Sequence, residues 1–165
     1  MTDRPLEIER KFLLDDLPDL NGVPRVEIRQ GYITALQDTT EVRLRQSGED
    51  YFLSIKGGEG LVRTEREVTI TAEQFEALWP ETAGRRVEKT RCKGRLPGGL
   101  AFDLDIYSGV LAPLLTVEVE FSSESAAEAF SPPAWFGKDV TLDKRYRNKA
   151  LAVMGADALV ELMRR

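Results

Sequence analysis

Apolar and charged residues alternate through Leu6-Glu7-Ile8-Glu9-Arg10-Lys11-Phe12-Leu13-Leu14. A period of two marks a strand with unlike faces, so Glu7, Glu9 and Lys11 share one face and Leu6, Ile8 and Phe12 the other. The same alternation predicts strands over Val26–Ile33, Glu41–Arg45, Tyr51–Lys56, Arg63–Val68, Val87–Leu96, Leu100–Tyr107 and Leu115–Phe121. Turn residues separate them: Pro18, Gly22 and Pro24; Gln37 to Thr39; Ser47-Gly48-Glu49-Asp50; Gly57-Gly58-Glu59-Gly60; and Pro97-Gly98-Gly99.

Between strands the period changes to that of a helix. Thr71 is placed to cap a helix that presents Ala72, Phe75, Leu78 and Trp79 to one side, with Gln74 at the third helical position and Pro80 ending it. Ser123–Phe130 reads as a short helix broken by Pro132-Pro133, and Tyr146–Met154 and Ala156–Met163 read as a closing pair of amphipathic helices. No internal repeat or composition shift divides the chain, so residues 1–165 are expected to form one domain of α+β class.

Most of the strands carry charges at period two: Glu7/Glu9/Lys11, Arg43/Arg45, Arg63/Glu65/Glu67, Lys89/Arg91/Lys93, Asp103/Asp105 and Glu118/Glu120. An open sheet with one wet face would satisfy this pattern. Closure into an antiparallel eight-stranded β-barrel satisfies it better, because closure removes the exposed edges and the few helices can cover an apolar outside. The expectation is therefore a closed barrel with a charged interior, flanked by helices.

Composition narrows the chemistry. The 165 residues carry 23 basic and 28 acidic side chains, a formal charge of −5, with 42% hydrophobic and 31% charged residues. Nothing here favours duplex nucleic acid or an anionic membrane. No apolar run approaches the ~20 residues of a membrane span and no signal peptide precedes the first strand, so a cytoplasmic location is expected. Cys92 is the single cysteine and falls on the apolar side of its strand, the place of a small buried hydrophobe. There is no histidine at all, which removes imidazole bases and histidine-ligated metals and leaves carboxylates, hard metals, lysine, arginine or tyrosine.

A charged interior calls for an occupant, since two unit charges 4 Å apart interact by roughly 4 kcal/mol at an effective dielectric near 20. Carboxylates on the first and last strands suit Mg²⁺ or Mn²⁺, and the arginines and lysines suit a chain of phosphates. Together they ask for a metal polyphosphate complex. For each basic residue the alternative is an ion pair inside the barrel with Glu65, Glu67 or Asp103.

Read in order, the motifs are Glu7-Ile8-Glu9-Arg10-Lys11, Gln30-Gly31-Tyr32, Arg43-Leu44-Arg45, Ile55-Lys56-Gly57, Arg63-Thr64-Glu65-Arg66-Glu67, Lys89-Thr90-Arg91, Asp105-Ile106-Tyr107, Glu118-Val119-Glu120-Phe121 and Val140 to Asn148. This series, over nearly the whole chain, resembles the CYTH superfamily, the triphosphate tunnel metalloenzymes. The resemblance implies a β-barrel tunnel in which Glu7, Glu9 and Glu120 hold one metal ion and Glu118 and Asp105 serve a second. It implies that Lys11, Arg43, Arg45, Lys56, Arg63, Lys89 and Arg91 bind phosphate oxygens, with Lys144 and Arg145 either at the tunnel mouth or at a solvated helix start.

The activity expected from it is hydrolysis of inorganic triphosphate to pyrophosphate and phosphate. Without histidine the attacking water depends on the metal or on a lysine or tyrosine, and the family's lysine–tyrosine pair matches Lys56 and Tyr32. Such a base would give an alkaline optimum, because both groups titrate near 10. The alternatives are a class IV adenylate cyclase, a thiamine triphosphatase, or a non-catalytic polyphosphate-binding module. The partner expected is a small-molecule triphosphate, and the sequence leaves monomer and homodimer both open.

Overall fold

All eight expected strands form, and the computed structural model, which describes residues 8–57 and 64–164, joins them in one antiparallel sheet. Glu7, Arg63 and the glycine-rich turn at 58–60 lie outside the described residues. The strands are β1 (Ile8–Leu13), β2 (Arg25–Tyr32), β3 (Glu41–Ser47), β4 (Asp50–Gly57), β5 (Thr64–Thr69), β6 (Arg86–Arg95), β7 (Ala101–Tyr107) and β8 (Leu115–Phe121). Their order across the sheet is β1-β8-β7-β6-β2-β3-β4-β5. The run β2 to β5 is one meander, β6 to β8 is another with β1 added at its far side, and the β2–β6 ladder joins them.

Register puts the charges on one face. Glu9 stands opposite Glu120, Lys11 and Asp103 opposite Glu118, Arg91 opposite Asp105, Lys89 opposite Ile28, Gln30 opposite Arg45, Arg43 opposite Ser54, and Lys56 opposite Glu65. Directly paired residues point the same way, so the alternation written in each strand is continued from strand to strand.

Among the described residues the barrel does not close. Among the described residues no ladder joins β1 to β5, and the closed eight-stranded barrel expected from the sequence is instead a curled, open sheet. The physical reason lies on β1, whose outer edge is already taken. Leu13 N–H donates to the Lys138 carbonyl at 2.8 Å, Gly137 N–H to the Leu13 carbonyl at 2.7 Å, and Val140 N–H to the Lys11 carbonyl at 2.8 Å. The Arg10 guanidinium clamps the same strip through Asp139 at 2.8 Å. A glycine is needed there, because a Cβ at Gly137 would stand 2.6 Å from the Leu13 carbonyl oxygen.

The opposite face of the sheet is apolar and covered. Phe12, Cys92, Phe102, Leu104, Val117, Val119 and Phe121 pack with Ala127 of α2 (Glu124–Ala129) and with Phe136. Cys92 is thus the buried hydrophobe its position implied. Over β2 to β4, Leu44 packs with Phe75 and Trp79, carried by α1 (Ala72–Leu78) and the turn after it. The capping box read at α1 is present: Thr71 accepts from Gln74 N–H, and the Gln74 side chain accepts from Thr71 N–H.

At one end of the charged face lies a third cluster. Tyr32, Val87 and Tyr107 pack there with Leu151 of α3 (Asn148–Leu151), Leu159 and Leu162 of α4 (Ala156–Met163), and Tyr146. The helix expected over Tyr146–Met154 is shorter than its sequence period suggested. Tyr146 closes a 3₁₀ turn, Arg147 is extended with φ −70° and ψ 144°, and the Tyr146 carbonyl accepts from Lys11 Nζ at 2.6 Å instead of entering a helix. Among the described residues no helix is long and apolar enough to cross a membrane.

Candidate active site

The curl of the sheet brings side chains from all eight strands around one cavity of about 680 Å³. Glu9, Gln30, Arg43, Arg45, Lys56, Glu65, Glu67, Lys89, Arg91, Asp103, Glu118 and Glu120 line it, together with Ile28 and Asn148. Its cations come from β3, β4 and β6, and its acids from β5 on one side and β7, β8 and β1 on the other. Ile28 is the one apolar lining residue among those described, and no aromatic ring is among them.

The acid cluster is strained by its own charge. Glu9 hydrogen-bonds the Glu118 carboxyl, with Glu120 nearby. Glu9 lies toward the solvent side of the cavity, yet desolvation, then the charge and hydrogen bond of Glu118, push it up to about 7 against the pull of Lys11. Lys11 itself is drawn to the Tyr146 carbonyl and lies 3.5 Å from Glu118. Two carboxyls this close, on paired strands, are an oxygen-donor set that a hard divalent cation would relax. Among the described residues no three such groups converge, and Glu7, the expected third, lies outside them.

Asp105 does not join this cluster. It is fully buried, and its carboxylate takes two hydrogen bonds from Arg91, at 2.8 and 2.9 Å, and an ion pair from Lys89 Nζ at 2.8 Å. Burial alone would raise its pKa, but Arg91 and Lys89 outweigh it and hold Asp105 below the usual carboxylate range. Where the resemblance implied a ligand of a second metal, the structure shows Asp105 set apart from Glu9 and Glu118, anchoring the Arg91 and Lys89 side chains from behind. Lys89 is nearly as buried, with desolvation pulling its pKa down, and it reaches Asn148 Oδ1 at 3.3 Å and the Tyr107 ring at 5.3 Å.

The remaining cations are held more loosely. Arg43 and Arg45 lie 3.9 and 3.8 Å from Glu67, and Arg91 lies 3.6 Å from Asp103, so ion pairs with two of the three acids named as alternatives do form. Even so, Arg43 Nε is buried without an acceptor, and Lys56 has no partner among the described residues. Burial and the neighbouring Arg43 charge lower the Arg45 pKa, the mark of cations crowded together. Lys144 and Arg145 face outward, Arg145 pairing with Asp143.

Tyr32 and Lys56 are not a pair. They sit on β2 and β4 with Arg43 of β3 between them, and Tyr32 belongs to the apolar end cluster rather than to the cavity wall. Its hydroxyl accepts from Gln30 Nε2 at 2.8 Å, and burial pushes its pKa above the ordinary phenol value, the reverse of what a base requires. Asn148 closes the Val140 to Asn148 motif, but the sequence assigns it no role in the site. Its polarity at the start of α3 is the one signal, and it reads equally well as a helix end.

No protein-family model matches the chain. It is 58% identical over 149 residues to an inorganic triphosphatase of Nitrosomonas europaea, covering 89% of this chain and 97% of that protein. It is 32% identical over 147 residues to an inorganic triphosphatase of Acetivibrio thermocellus, covering 88% and 92%. A crystal structure of an inorganic triphosphatase superposes with a TM-score of 0.80 at 54% identity, covering 90% of this chain and 95% of that one. With that identity spread over almost the full length of both proteins, the chain belongs to the inorganic triphosphatase family.

Proposed function

We propose that the chain hydrolyses inorganic triphosphate to pyrophosphate and phosphate with Mg²⁺ or Mn²⁺ as the cofactor. The observation that carries this reading is the cavity wall: cations on β3, β4 and β6 between acids on β5 and acids on β7, β8 and β1, with Ile28 the one apolar lining residue described. A substrate bearing a nucleobase or thiazole ring would find no aromatic surface among those residues to stack on, whereas a bare phosphate chain needs none.

Glu9, Glu118 and Glu120 would hold the metal, with Glu7 completing the set. When bound, the cation withdraws charge from the phosphate oxygens. Arg43, Arg45, Lys56 and Lys89 bind the substrate oxygens, and Arg91 adds donors fixed by its two bonds to Asp105. Because Asp105 sets the Lys89 and Arg91 donors before substrate arrives, their reorganisation does not burden the transition state. The chain is held so that water meets the terminal phosphorus in line with the bridging oxygen, whose bond breaks as pyrophosphate leaves. As its neutral amine, Lys56 is the group of the chain best placed to receive the proton that the attacking water gives up, since among the described residues it is the cavity lysine or arginine with no carboxylate partner.

The test is incubation with tripolyphosphate, ATP and thiamine triphosphate, each with Mg²⁺ or Mn²⁺, read by phosphate release and by cyclic AMP. The expected result is metal-dependent phosphate release from tripolyphosphate well above the other two. Cyclic AMP from ATP, or preference for thiamine triphosphate, overturns the substrate assignment. Thermal stabilisation by tripolyphosphate without turnover overturns the activity.

A further inference from the structure

Glu67 of β5 occupies a place in the cavity that the proposed reaction does not use. A single oxygen, Oε2, accepts a hydrogen bond from the buried Ser54 hydroxyl at 2.7 Å and stands 3.9 Å from Arg43 Nη2 and 3.8 Å from Arg45 Nη2. Those two distances are too long for hydrogen bonds but short enough for strong charge attraction. Ser54 thus holds the carboxylate where it balances two arginines without consuming their N–H donors, and Arg43 Nε remains without an acceptor.

We propose that Glu67 is a built-in counter-anion that limits how tightly the site holds phosphate, and so governs release of the pyrophosphate product. This rests on the phosphate-binding reading of the cavity. An anion arriving at Arg43 and Arg45 takes up donors that Glu67 leaves open, and then lies within a few ångströms of a like charge that Ser54 keeps in place. The repulsion acts on substrate and product alike. A metal-bearing triphosphate offsets it through the acids of β1 and β8 on the far side, while pyrophosphate, with fewer contacts, offsets it less.

The experiment is isothermal titration of the full chain with pyrophosphate in the presence of a metal chelator, for the wild type, Glu67→Gln and Glu67→Ala. Glutamine keeps an acceptor for Ser54, and alanine removes the group outright, so agreement between the two isolates the charge. Both variants are expected to bind pyrophosphate about tenfold more tightly than wild type, a discount from the unscreened attraction because Glu67 is half-exposed. The gap is expected to narrow as salt is raised to about 0.5 M, where charges are screened within a few ångströms. In turnover, product inhibition by pyrophosphate should strengthen while kcat falls.

Unchanged or weaker pyrophosphate binding in folded Glu67→Gln and Glu67→Ala, with wild type binding normally, overturns the proposal and leaves the triphosphatase reading standing. A tightening that does not respond to salt overturns it too. Absence of pyrophosphate binding in wild type and variants alike overturns the phosphate reading of the cavity, and this proposal with it.

Discussion

The Asp105 carboxylate holds the Arg91 guanidinium by two hydrogen bonds, Nε to Oδ1 at 2.8 Å and Nη2 to Oδ2 at 2.9 Å, across the β6–β7 ladder where the two residues are directly paired. Lys89 completes the group from the same strand as Arg91, at 2.8 Å. A buried acid shared by two cations is a poor place for a change of charge. Removing one partner of such a group costs about 3–5 kcal/mol, because the others stay buried and uncompensated.

Asp105→Asn is therefore expected to lower stability by about that amount in the absence of any metal, and to raise KM for tripolyphosphate as Lys89 and Arg91 lose their fixed positions. Chemical denaturation in chelator reads the first effect and steady-state kinetics the second. A metal-ligand role predicts the opposite split, with wild-type stability in chelator and lost metal affinity. A wild-type denaturation midpoint for this variant would return Asp105 to the metal.

Asp105 also shows where sequence reasoning stops. Its alternation with Leu104 and Ile106 correctly gives its strand and face, as it does for the acids and cations that line the cavity from the other strands, because period two is a local property. The capping box at Thr71 and Gln74 was legible for the same reason. What an inward carboxylate faces is not local: Asp105 meets Arg91 fourteen residues back, while Glu118 meets Glu9 more than a hundred residues away. The open seam was hidden likewise, since the strip at Gly137–Val140 has no alternating pattern and takes its place only through backbone bonds to β1.

Tyr32 is expected to contribute stability rather than chemistry. Tyr32→Phe deletes the acceptor of Gln30 Nε2 in a buried setting, a loss of about 1–2 kcal/mol, and should leave kcat within a few-fold of wild type with the pH optimum unmoved. Lys56→Ala, by contrast, removes a cation from the cavity wall and should lower kcat/KM by at least about tenfold with little change in stability. A collapse of kcat in Tyr32→Phe at normal thermal stability would restore the tyrosine as base.

Glu9 makes metal binding depend on pH. Its folded-state pKa of about 7 lies above the ordinary 4.5, so the folded protein binds the extra proton. In metal-free protein the stability tied to this proton is present below about 4.5 and is lost as pH rises toward about 7. Because the group is well exposed to solvent, the loss is about 1 kcal/mol or less. Glu9→Gln should show no such decline, and should retain the fold while losing metal-dependent turnover. A divalent cation competes with the same proton, so Mn²⁺ affinity measured by calorimetry should be about tenfold weaker at pH 6 than at pH 8. Equal affinity at the two pH values would remove Glu9 from the metal set.

Gly137 decides whether β1 keeps its cover. Its amide donates to the Leu13 carbonyl at 2.7 Å, and the chain comes so near that an added Cβ would lie 2.6 Å from that same oxygen. Backbone cannot swing aside as a flexible side chain does, so Gly137→Ala must push the strip off β1 or distort the strand. The expected cost is about 1–3 kcal/mol. It should appear first in hydrogen exchange, as faster exchange of the Leu13 and Val140 amides, which donate across the seam to Lys138 and Lys11. Lys11 and Arg10 border the seam on either side of the sheet, and Lys11 lies 3.5 Å from Glu118 of the cavity wall, so the same variant should weaken tripolyphosphate binding even though neither residue 137 nor Lys11 lines the cavity. Unaltered protection of both amides in Gly137→Ala would mean that the strip is not what occupies the β1 edge in solution, and the open sheet would need another cause.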